Sequence, residues 1–386
     1  MTARTDAWVL HAGPDAATGA APQRGLLERE QWALAATADH EALVEPIFGS
    51  WEANLDHALS RSPIDICRAR GEESVILGNL GVVRVLRTGR DVAGLREGDL
   101  CLVMPFGVCD RYGYAELVYA YDCPGTTGIL ARRTNIAADL LLPVPVGSGY
   151  DLTQWAAYGR YFTAWDNWRT AVRAWRIQLP DADPADSLVF GWGGGVVLAE
   201  LLLARADGFR VAMTASSDER IRLLESLGIT AVDRRELADL GARRDADGRP
   251  LPAHRYRESE RRFLDLIAGL SDGAGVSIFI DNIGAPLYKP TVKSLAREGV
   301  LSTVGWKQGM KISQLRAADC IKRQLHVNTH VWRKSDSAGI RDFQEAAGWI
   351  AAPEKPYAFE DVPALAADYL AGRVGTYFPI FAVNPQ

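Results

Sequence analysis

At 386 residues, the chain exceeds the size at which a single hydrophobic core usually stops growing, so we expect two domains. Hydrophobic residues make up 48% of the sequence and charged residues 24%, which is typical of a soluble globular protein. A net charge of −5 gives no electrostatic reason to expect nucleic acid as a partner.

The cysteine pattern and the lack of long apolar runs predict the compartment. The five cysteines form neither a CxxC pair nor an even-numbered framework, which favours a reducing compartment. They are Cys67, Cys101, Cys109, Cys123 and Cys320. No apolar run approaches the ~20 residues needed to span a bilayer. The amino-terminal stretch MTARTDAWVLHAG is too short and polar for a signal peptide, so we expect a cytoplasmic protein with no membrane partner.

Two regions of different character follow along the chain. From Ala7 to about Tyr150, short apolar runs alternate with Gly, Pro and Asp, which predicts a mostly β region with strands at Val82–Leu86 and Leu100–Met104. Beyond it, helical periods alternate with the runs SLVF, RVAMT, SIFID and VLSTVG, which predicts a parallel sheet. The stretch TYFPIFAV near the carboxyl end predicts a closing strand.

The connection from Asp233 to Ile267 is long for a link between a strand and a helix. Its polar centre predicts a surface insertion. The interleaved charges of RYRESERR, from Arg255 to Arg262, predict a solvated helix face within it.

A glycine cluster follows the first run of the parallel sheet, in the stretch SLVFGWGGGVVLAELLLA. A dinucleotide-binding loop needs glycine for a tight turn, for close approach of the backbone to the pyrophosphate, and for close packing of helix on strand. Gly193–Gly195 can supply the first two, and amides near Val196 would then point at the phosphates. The G-x-G-x-x-G pattern ends on Val196 or Val197, and we expect such a valine to push the helix away from the strand. A strand-to-helix turn without a ligand is the alternative interpretation.

The end of the second run, TASSDER, predicts which nicotinamide cofactor is bound. An NAD site needs an acidic residue directly after this strand to hold the ribose 2′-hydroxyl. Here Asp218 and Glu219 come only after small residues and hydroxyls, and Arg220 follows them. The hydroxyls of Ser216 and Ser217 with a guanidinium suit a 2′-phosphate, so the sequence predicts NADPH. The same Ser-Asp pair fits an N-cap for the next helix, and both roles can coexist.

Together these segments resemble the medium-chain dehydrogenase/reductase superfamily. The signature of its catalytic domain is similar to GNLGVVRVLRTGRDVAGLREGDLCLV, and the helix entering its cofactor domain is similar to YFTAWDNWRTA. Its cofactor loop and second strand resemble the stretch from Gly191 to Asp233, and its late strands resemble the stretch from Ile280 to Trp306. The resemblance begins near Val44.

The resemblance implies an α/β fold in two parts. A GroES-like, β-rich catalytic domain would occupy residues 1–160, and a Rossmann domain, a doubly wound parallel sheet that binds NADPH, would occupy residues 161–335. Residues 336–386 would return to the catalytic domain. The family usually forms homodimers through the edge of the Rossmann sheet, so a homodimer is expected.

Two departures from the family pattern bear on the chemistry. Zinc-dependent alcohol dehydrogenases carry Gly-His-Glu where this chain has Gly78, Asn79 and Leu80, which offer no zinc ligand, and the cysteines of the structural zinc lobe are missing. The resemblance is therefore to the zinc-free branch, the quinone and enoyl-thioester reductases. Within that branch, SWEANLDHALSRSPIDICR and CIKRQLHVNTHVW are most similar to crotonyl-CoA carboxylase/reductases. The second departure is Trp192 and Val197, where relatives tend to have Ala or Ser, and then Gly.

The resemblance places the nicotinamide near the carboxyl ends of the parallel strands, beside the FTAW helix and the segments DNIG and VGW. No metal is expected. The expected cofactor-binding residues are Thr163, Gly191, Gly193, Gly194, Gly195, Val196, Ser216, Ser217, Arg220, Asn282, Ile283, Gly305 and Trp306.

The segment WEANLDH falls where related reductases present polar groups to the substrate. The expected catalytic residues are Asn54, His57, Tyr161 and His330, and the expected substrate contacts are Trp51 and Asp56. Asn54 would donate to a carbonyl, whereas Asp56 equally fits a role in orienting its neighbours. A satisfied histidine is the alternative for His57, and a core aromatic residue is the alternative for Tyr161.

Without a metal, hydride transfer needs an electron-poor acceptor, such as a C=C conjugated to a carbonyl. We therefore expect NADPH-dependent reduction of an α,β-unsaturated thioester, CoA- or carrier-bound, or of a related enone. Hydride would go to the β carbon, and a proton or CO₂ to the α carbon. One alternative is a quinone or small-enone reductase. Another is a cofactor-free binding module in which Trp192 fills the nucleotide site, since fold alone does not decide function.

Overall fold

The computed structural model describes residues 3–14, 23–62, 64–242, 249–285, 287–305, 313–329, 332–350 and 354–384. The chain divides into two compact units. Residues 1–162 and 332–386 form the β-rich unit, and residues 163–331 form the parallel-sheet unit. No helix in the described ranges is long and apolar enough to cross a membrane.

The β-rich unit consists of antiparallel strands with a few short helices. Its strands are β1 (Arg4–His11), β2 (Leu27–Ala33), β3 (Glu41–Ser50), β4 (Ser74–Val75), β5 (Gly81–Thr88), β6 (Leu100–Val103), β7 (Phe106–Cys109), β8 (Ala115–Val118), β9 (Thr134–Ala137), β10 (Leu141–Pro143) and, last in the chain, β17 (Ile380–Ala382). Its helices are α1 (Ala53–Ser60), α2 (Ile66–Arg70), α3 (Leu152–Ala156), α10 (Ser337–Ala347) and α11 (Val362–Leu370). The long helix α4 (Tyr158–Gln178) contains the boundary between the units.

The main sheet of this unit has the order β10-β6-β5-β3-β17, with β9 also paired to β3. A second sheet has the order β2-β1-β4, and β7 pairs with β8. The two strands predicted near residues 82 and 100 are β5 and β6, which pair antiparallel. The predicted closing strand is β17, which pairs antiparallel with β3 through Ile380 and Ser50. The carboxyl-terminal segment therefore belongs to the β-rich unit.

The parallel-sheet unit has six strands in the order β13-β12-β11-β14-β15-β16, with every neighbouring pair parallel. The strands are β11 (Leu188–Trp192), β12 (Arg210–Ala215), β13 (Thr230–Asp233), β14 (Val276–Asp281), β15 (Leu295–Thr303) and β16 (His326–Thr329). The helices are α5 (Gly195–Ala206), α6 (Asp218–Ser226), α7 (Ala238–Gly241), α8 (Ala253–Leu270) and α9 (Tyr288–Ser294).

The two units also contain short helical turns. The 3-10 turns lie at Ala138–Leu140, Pro184–Asp186, Arg234–Leu237, Lys334–Asp336 and Phe359–Asp361, and a π-helical turn lies at Arg316–Lys322.

This strand order confirms the parallel sheet predicted from the four apolar runs. The chain starts at the centre of the sheet, runs to one edge through β12 and β13, and then crosses back to β14. In such a sheet, ligands bind outside the carboxyl ends of the strands where the direction of winding reverses. That point lies between β11 and β14, which pair directly at Trp192 and Asp281.

Side-chain alternation along β11 separates the two faces of the sheet. Phe190 and Trp192 point into a core that also contains Phe263 of α8 and Phe279 of β14. The centroid of the Trp192 ring lies 4.9 Å from the centroids of Phe263 and Phe279. Gly191, between them, faces α5 instead. The indole of Trp192 is therefore a core side chain on the face covered by α8.

The connection predicted to be a surface insertion contributes to this core. Phe263 and Ile267 of α8 are buried against the sheet, while Arg255, Arg257, Arg261 and Arg262 are not buried. The helix thus has the solvated face that its interleaved charges predict. The apolar residues of RRFLDLI make its other face part of the core, so the insertion is not wholly on the surface. Residues 243–248 of this connection lie outside the described ranges.

Glu200 of α5 is completely buried and faces Asn167 of α4. Asn167 Nδ2 donates to both Glu200 carboxyl oxygens, at 3.0 and 2.9 Å. Loss of solvent raises the pKa of the Glu200 carboxyl well above its usual value, which favours the neutral form of this group in the folded protein.

This burial predicts a stability that falls as the pH rises. The unfolded chain releases the Glu200 proton near pH 4.5, whereas the folded chain retains it to higher pH. The contribution of Glu200 to the free energy of unfolding is therefore greatest below pH 4.5 and is lost as the pH rises toward the raised pKa. The loss is at most about 1.4 kcal/mol per pH unit, the value for one proton. Glu200→Gln should remove this slope in urea-denaturation midpoints measured across the pH range. Exposed Glu219→Gln is the control, and an unchanged slope in Glu200→Gln would contradict the assignment.

Candidate functional site

The glycine loop joins β11 to α5 at the point where the sheet reverses its winding. Gly194 is the N-cap of α5 and is exposed, and no side chain caps the first turn of this helix. A Cβ added to Gly194 would meet no heavy atom within 4 Å. The first-turn amides of a helix have no partner within the helix, so this end can donate to an anion. Val196, in that first turn, is half-buried.

Val197 occupies the space that glycine leaves in the facing strand and loop. A Cβ on Gly191 would lie 2.4 Å from Val197 Cγ1, and a Cβ on Gly193 would lie 2.5 Å from Val197 Cγ2. The usual pattern places the small residue on the helix; here the helix carries the valine, and the glycines lie opposite it. The valine was expected to push the helix away from the strand. Gly191 and Gly193 make room for it, because they have no side chain for it to contact.

The segment after β12 contains the residues expected to select NADPH. Ser217 is the N-cap of α6, and its Oγ accepts a hydrogen bond from the Arg220 amide at 3.3 Å. The capping alternative for the Ser-Asp pair is therefore realised by Ser217. Ser216 and Arg220 are half-buried. Asp218, the first acidic residue here, forms an ion pair with Arg235 at 2.5 Å.

The turn after β14 is built around the carboxylate of Asp281. One oxygen accepts the amides of Ile283 and Gly284, both at 2.9 Å, and the other accepts Thr291 Oγ1 at 3.1 Å. Gly284 has a φ of +79°, a conformation that glycine adopts without strain. Burial raises the pKa of Asp281, although these hydrogen bonds favour its charged form. The carboxyl group therefore fixes the backbone of the turn and is not available to a ligand.

Asn282 ties three loops together. Its Oδ1 accepts the amides of Val304 and Gly305, at 3.0 and 3.1 Å, and its own amide donates to the Trp192 carbonyl at 3.3 Å. A Cβ on Gly305 would lie 2.9 Å from Asn282 Cβ, so the two segments approach closely. The structure thus brings the expected residues after β11, β14 and β15 to one place. Thr163, on α4, is buried in the same unit, and Trp306 lies outside the described ranges.

In the β-rich unit, α1 carries three of the expected site residues. Asn54 Oδ1 accepts the amide of Leu55 at 2.9 Å. Asp56 forms an ion pair with Arg24 at 2.6 Å, which fits the role of orienting its surroundings. His57 is half-buried.

The remaining expected residues of this unit are deeper. Tyr161 is completely buried, with its ring centroid 5.0 Å from Phe378 and 4.5 Å from Trp349. This packing corresponds to the core-aromatic alternative. Trp51 is also completely buried at the end of β3. His330 lies outside the described ranges.

Sequence reasoning missed Glu52 and Arg160. Arg160 is buried in α4 and its Nε lies 3.4 Å from Glu52 Oε1. The only sequence signal is a charged residue inside the aromatic stretch WAAYGRYFTAW. A long charged side chain in such surroundings is buried only when it is paired.

Comparison with known proteins gives consistent matches. Residues 195–352 match the model of the family described as zinc-binding dehydrogenase. Over 266 residues the chain is 23% identical to acryloyl-coenzyme A reductase of Sulfurisphaera tokodaii. The matched region covers 66% of this chain and 68% of that protein.

Two solved structures are similar over nearly the whole chain. The first is the 2-octenoyl-CoA carboxylase reductase CinF in complex with NADP and 2-octenoyl-CoA, with a TM-score of 0.78 and 18% identity over 99% of this chain and 88% of that one. The second is the crotonyl-CoA carboxylase/reductase AntE in complex with NADP, with a TM-score of 0.75 and 18% identity over 99% and 95%. This chain has the fold of the medium-chain dehydrogenase/reductase superfamily. The resemblance seen in the sequence is confirmed, and so is the α/β fold class with its GroES-like and Rossmann parts.

At the positions where the resemblance put zinc ligands, the chain has an amide and an apolar side chain. Asn79 and Leu80 are both buried, and Leu80 packs against Gly159. Within the described residues, the group of side chains close enough to share a metal ion is His11, Glu28 and Glu30, on β1 and β2.

The exchange of glycine and valine in the loop predicts a compensating pair of substitutions. Gly191→Ala should lower the free energy of unfolding by about 1–3 kcal/mol, because the new Cβ overlaps Val197 Cγ1. Val197→Ala in the same chain should restore much of this loss, since it removes that methyl group. Gly194→Ala is the matched control, because its Cβ enters open space. Equal losses in the single and double variants, measured by urea denaturation, would show that the two positions do not share this space.

Proposed function

We propose that the chain is an NADPH-dependent oxidoreductase. It would reduce the C=C of an α,β-unsaturated thioester, CoA- or carrier-bound, or of a related enone. The observation that carries the proposal is the convergence at Asn282 of the loops after β11, β14 and β15, beside the uncapped start of α5. This is the place where a doubly wound sheet binds a dinucleotide.

The residues of the glycine loop fit a pyrophosphate. The α5 amides have no side-chain cap, and Gly194 leaves open space in front of them. Gly193–Gly195 and Val196 would hold the phosphates through their backbone amides, and Asn282, Ile283 and Gly305 would border the nicotinamide.

The preference for NADPH rests on the charges after β12. A 2′-phosphate would meet the hydroxyl of Ser216, the capping Ser217 and the guanidinium of Arg220. Asp218, which could otherwise serve a ribose 2′-hydroxyl, is engaged by Arg235. NADP is also the cofactor named in the CinF and AntE complexes.

When bound, NADPH supplies the hydride that goes to the β carbon. The chain's own residues would stabilise the enolate and supply a proton to the α carbon, or admit CO₂ there. The Nδ2 of Asn54 is the group suited to donate to the thioester oxygen, because its Oδ1 already accepts the Leu55 amide. His57 and His330 are the proposed proton donors; Tyr161 is the weaker candidate because its ring is completely buried.

An enoyl thioester is favoured over a quinone by the relatives. CinF and AntE are named as carboxylase reductases of CoA thioesters, and the relative from Sulfurisphaera tokodaii as an acryloyl-coenzyme A reductase. The cofactor-free alternative has no support from Trp192, whose ring packs in the core beneath the sheet. Zinc independence, a homodimer and a cytoplasmic location remain part of the proposal.

Nucleotide binding is the first test. NADPH should quench tryptophan fluorescence at micromolar concentration and bind more tightly than NADH. Arg220→Ala should weaken NADPH binding about tenfold or more, the usual worth of a charge-assisted hydrogen bond, with little effect on NADH. Arg222→Ala, exposed on the same helix, is the matched control. If neither nucleotide binds at millimolar concentration, the reductase proposal is wrong.

The acceptor is tested by following NADPH oxidation with crotonyl-CoA, with and without bicarbonate. Turnover without bicarbonate indicates a reductase, and a dependence on bicarbonate indicates reductive carboxylation. Activity confined to quinones or free enones would instead support the alternative.

A further inference from the structure

Arg160 lies in the first turns of α4 and is only 6% exposed. Its Nη1 donates to the Tyr377 carbonyl at 2.6 Å, its Nη2 donates to the Trp51 carbonyl, and its Nε faces Glu52 Oε1 at 3.4 Å. All of these groups belong to the β-rich unit. One side chain thereby joins the end of β3, the start of α1, the carboxyl-terminal segment and α4.

The carboxylate that faces Arg160 lies at the start of α1 but does not cap that helix. Glu52 is the N-cap of α1, yet its side chain makes no capping hydrogen bond. It instead faces Arg160, which opposes the rise in the pKa of Glu52 caused by burial. Leaving a buried guanidinium without its acceptors would be costly, so these contacts fix their segments strongly.

We propose that Arg160 is a positioning residue for the reductase reaction: it sets the orientation of α1, and with it Asn54 and His57, against the carboxyl-terminal segment. This inference rests on the proposed function. Asn54 follows Trp51 and Glu52, both held by Arg160, by only three and two residues. Displacing this segment by even about 1 Å would misplace the Asn54 amide, and errors of that size can lower turnover about 100-fold.

Lysine cannot replace Arg160. The guanidinium presents its donors in a rigid plane, and here three different nitrogen atoms each face a different acceptor. A lysine ammonium is a single nitrogen on a flexible stem. Arg160→Lys therefore keeps the charge but loses the simultaneous contacts with Trp51 and Tyr377.

The chain contains a matched control in Arg70. Its side chain is 1% exposed and donates to the Thr126 carbonyl at 2.6 Å and to Glu72 at 2.8 Å. It is thus also a buried guanidinium shared by a carboxylate and a backbone carbonyl. Its contacts hold the segment at residues 121–126 and not α1. Arg70→Lys should therefore cost similar stability without displacing Asn54.

The experiment compares Arg160→Lys and Arg70→Lys in the full chain by three measurements. These are the thermal midpoint, NADPH affinity by fluorescence, and steady-state kinetics with crotonyl-CoA. Both variants should lose similar thermal stability and bind NADPH within about twofold of the parent, because the nucleotide residues lie in the parallel-sheet unit. Only Arg160→Lys should lower kcat, by about tenfold or more.

Hydrogen exchange supplies a readout that is independent of turnover. Arg160→Lys should speed exchange of the amides of α1 and of residues 377–381, and Arg70→Lys should not. The inference is overturned if both variants lose kcat in proportion to stability, or if exchange in α1 is unchanged in Arg160→Lys. A parent chain that binds NADPH but reduces no enoyl thioester would instead overturn the proposed function, and the positioning role with it.

Discussion

The hydrogen bonds of Asn282 are the contacts on which the candidate cofactor site depends. Parallel strands bring their carboxyl ends to one edge, but the loops that leave those ends are free to diverge. Asn282 prevents this, because its side chain accepts two amides from the segment after β15 while its backbone donates to Trp192. The neighbouring Asp281 fixes the turn that carries Asn282 by accepting two amides of its own. Asp281 is buried, where a carboxylate is costly unless its hydrogen bonds are made, so the turn that carries Asn282 is fixed.

The packing of α5 against β11 explains how the glycine loop keeps its form with an unusual sequence. A helix and a strand can approach closely when one of the two facing positions has no side chain, and it does not matter which. Here the strand supplies the glycine and the helix supplies Val197. Trp192 causes no conflict because alternation along β11 directs it to the opposite face, where aromatic rings surround it.

The sequence predicts the elements of this fold better than their contacts. Apolar runs bounded by turn residues identify β5, β6, β11, β12, β14 and β15, because strand formation leaves a local pattern. The role of Arg160 has no local pattern, since its acceptors on Trp51 and Tyr377 lie 109 and 217 residues away. The glycine motif also could not predict the glycine–valine exchange. The motif specifies which positions are small, but not which side chain fills the space between strand and helix. The prediction of a surface insertion was half wrong for a related reason. The polar centre of the connection hides the apolar face of α8, on which Phe263 and Ile267 lie.

Two features of the candidate nucleotide loops are accommodated by residues elsewhere in the chain. Val197 fits against Gly191, and Asp218, an acidic group near the expected 2′-phosphate, forms an ion pair with Arg235 at 2.5 Å. An unpaired carboxylate there would repel a phosphate, so the pairing of Asp218 is compatible with the 2′-phosphate site proposed at Ser216, Ser217 and Arg220. Neither Val197 nor Asp218 therefore stands against the proposed nucleotide site.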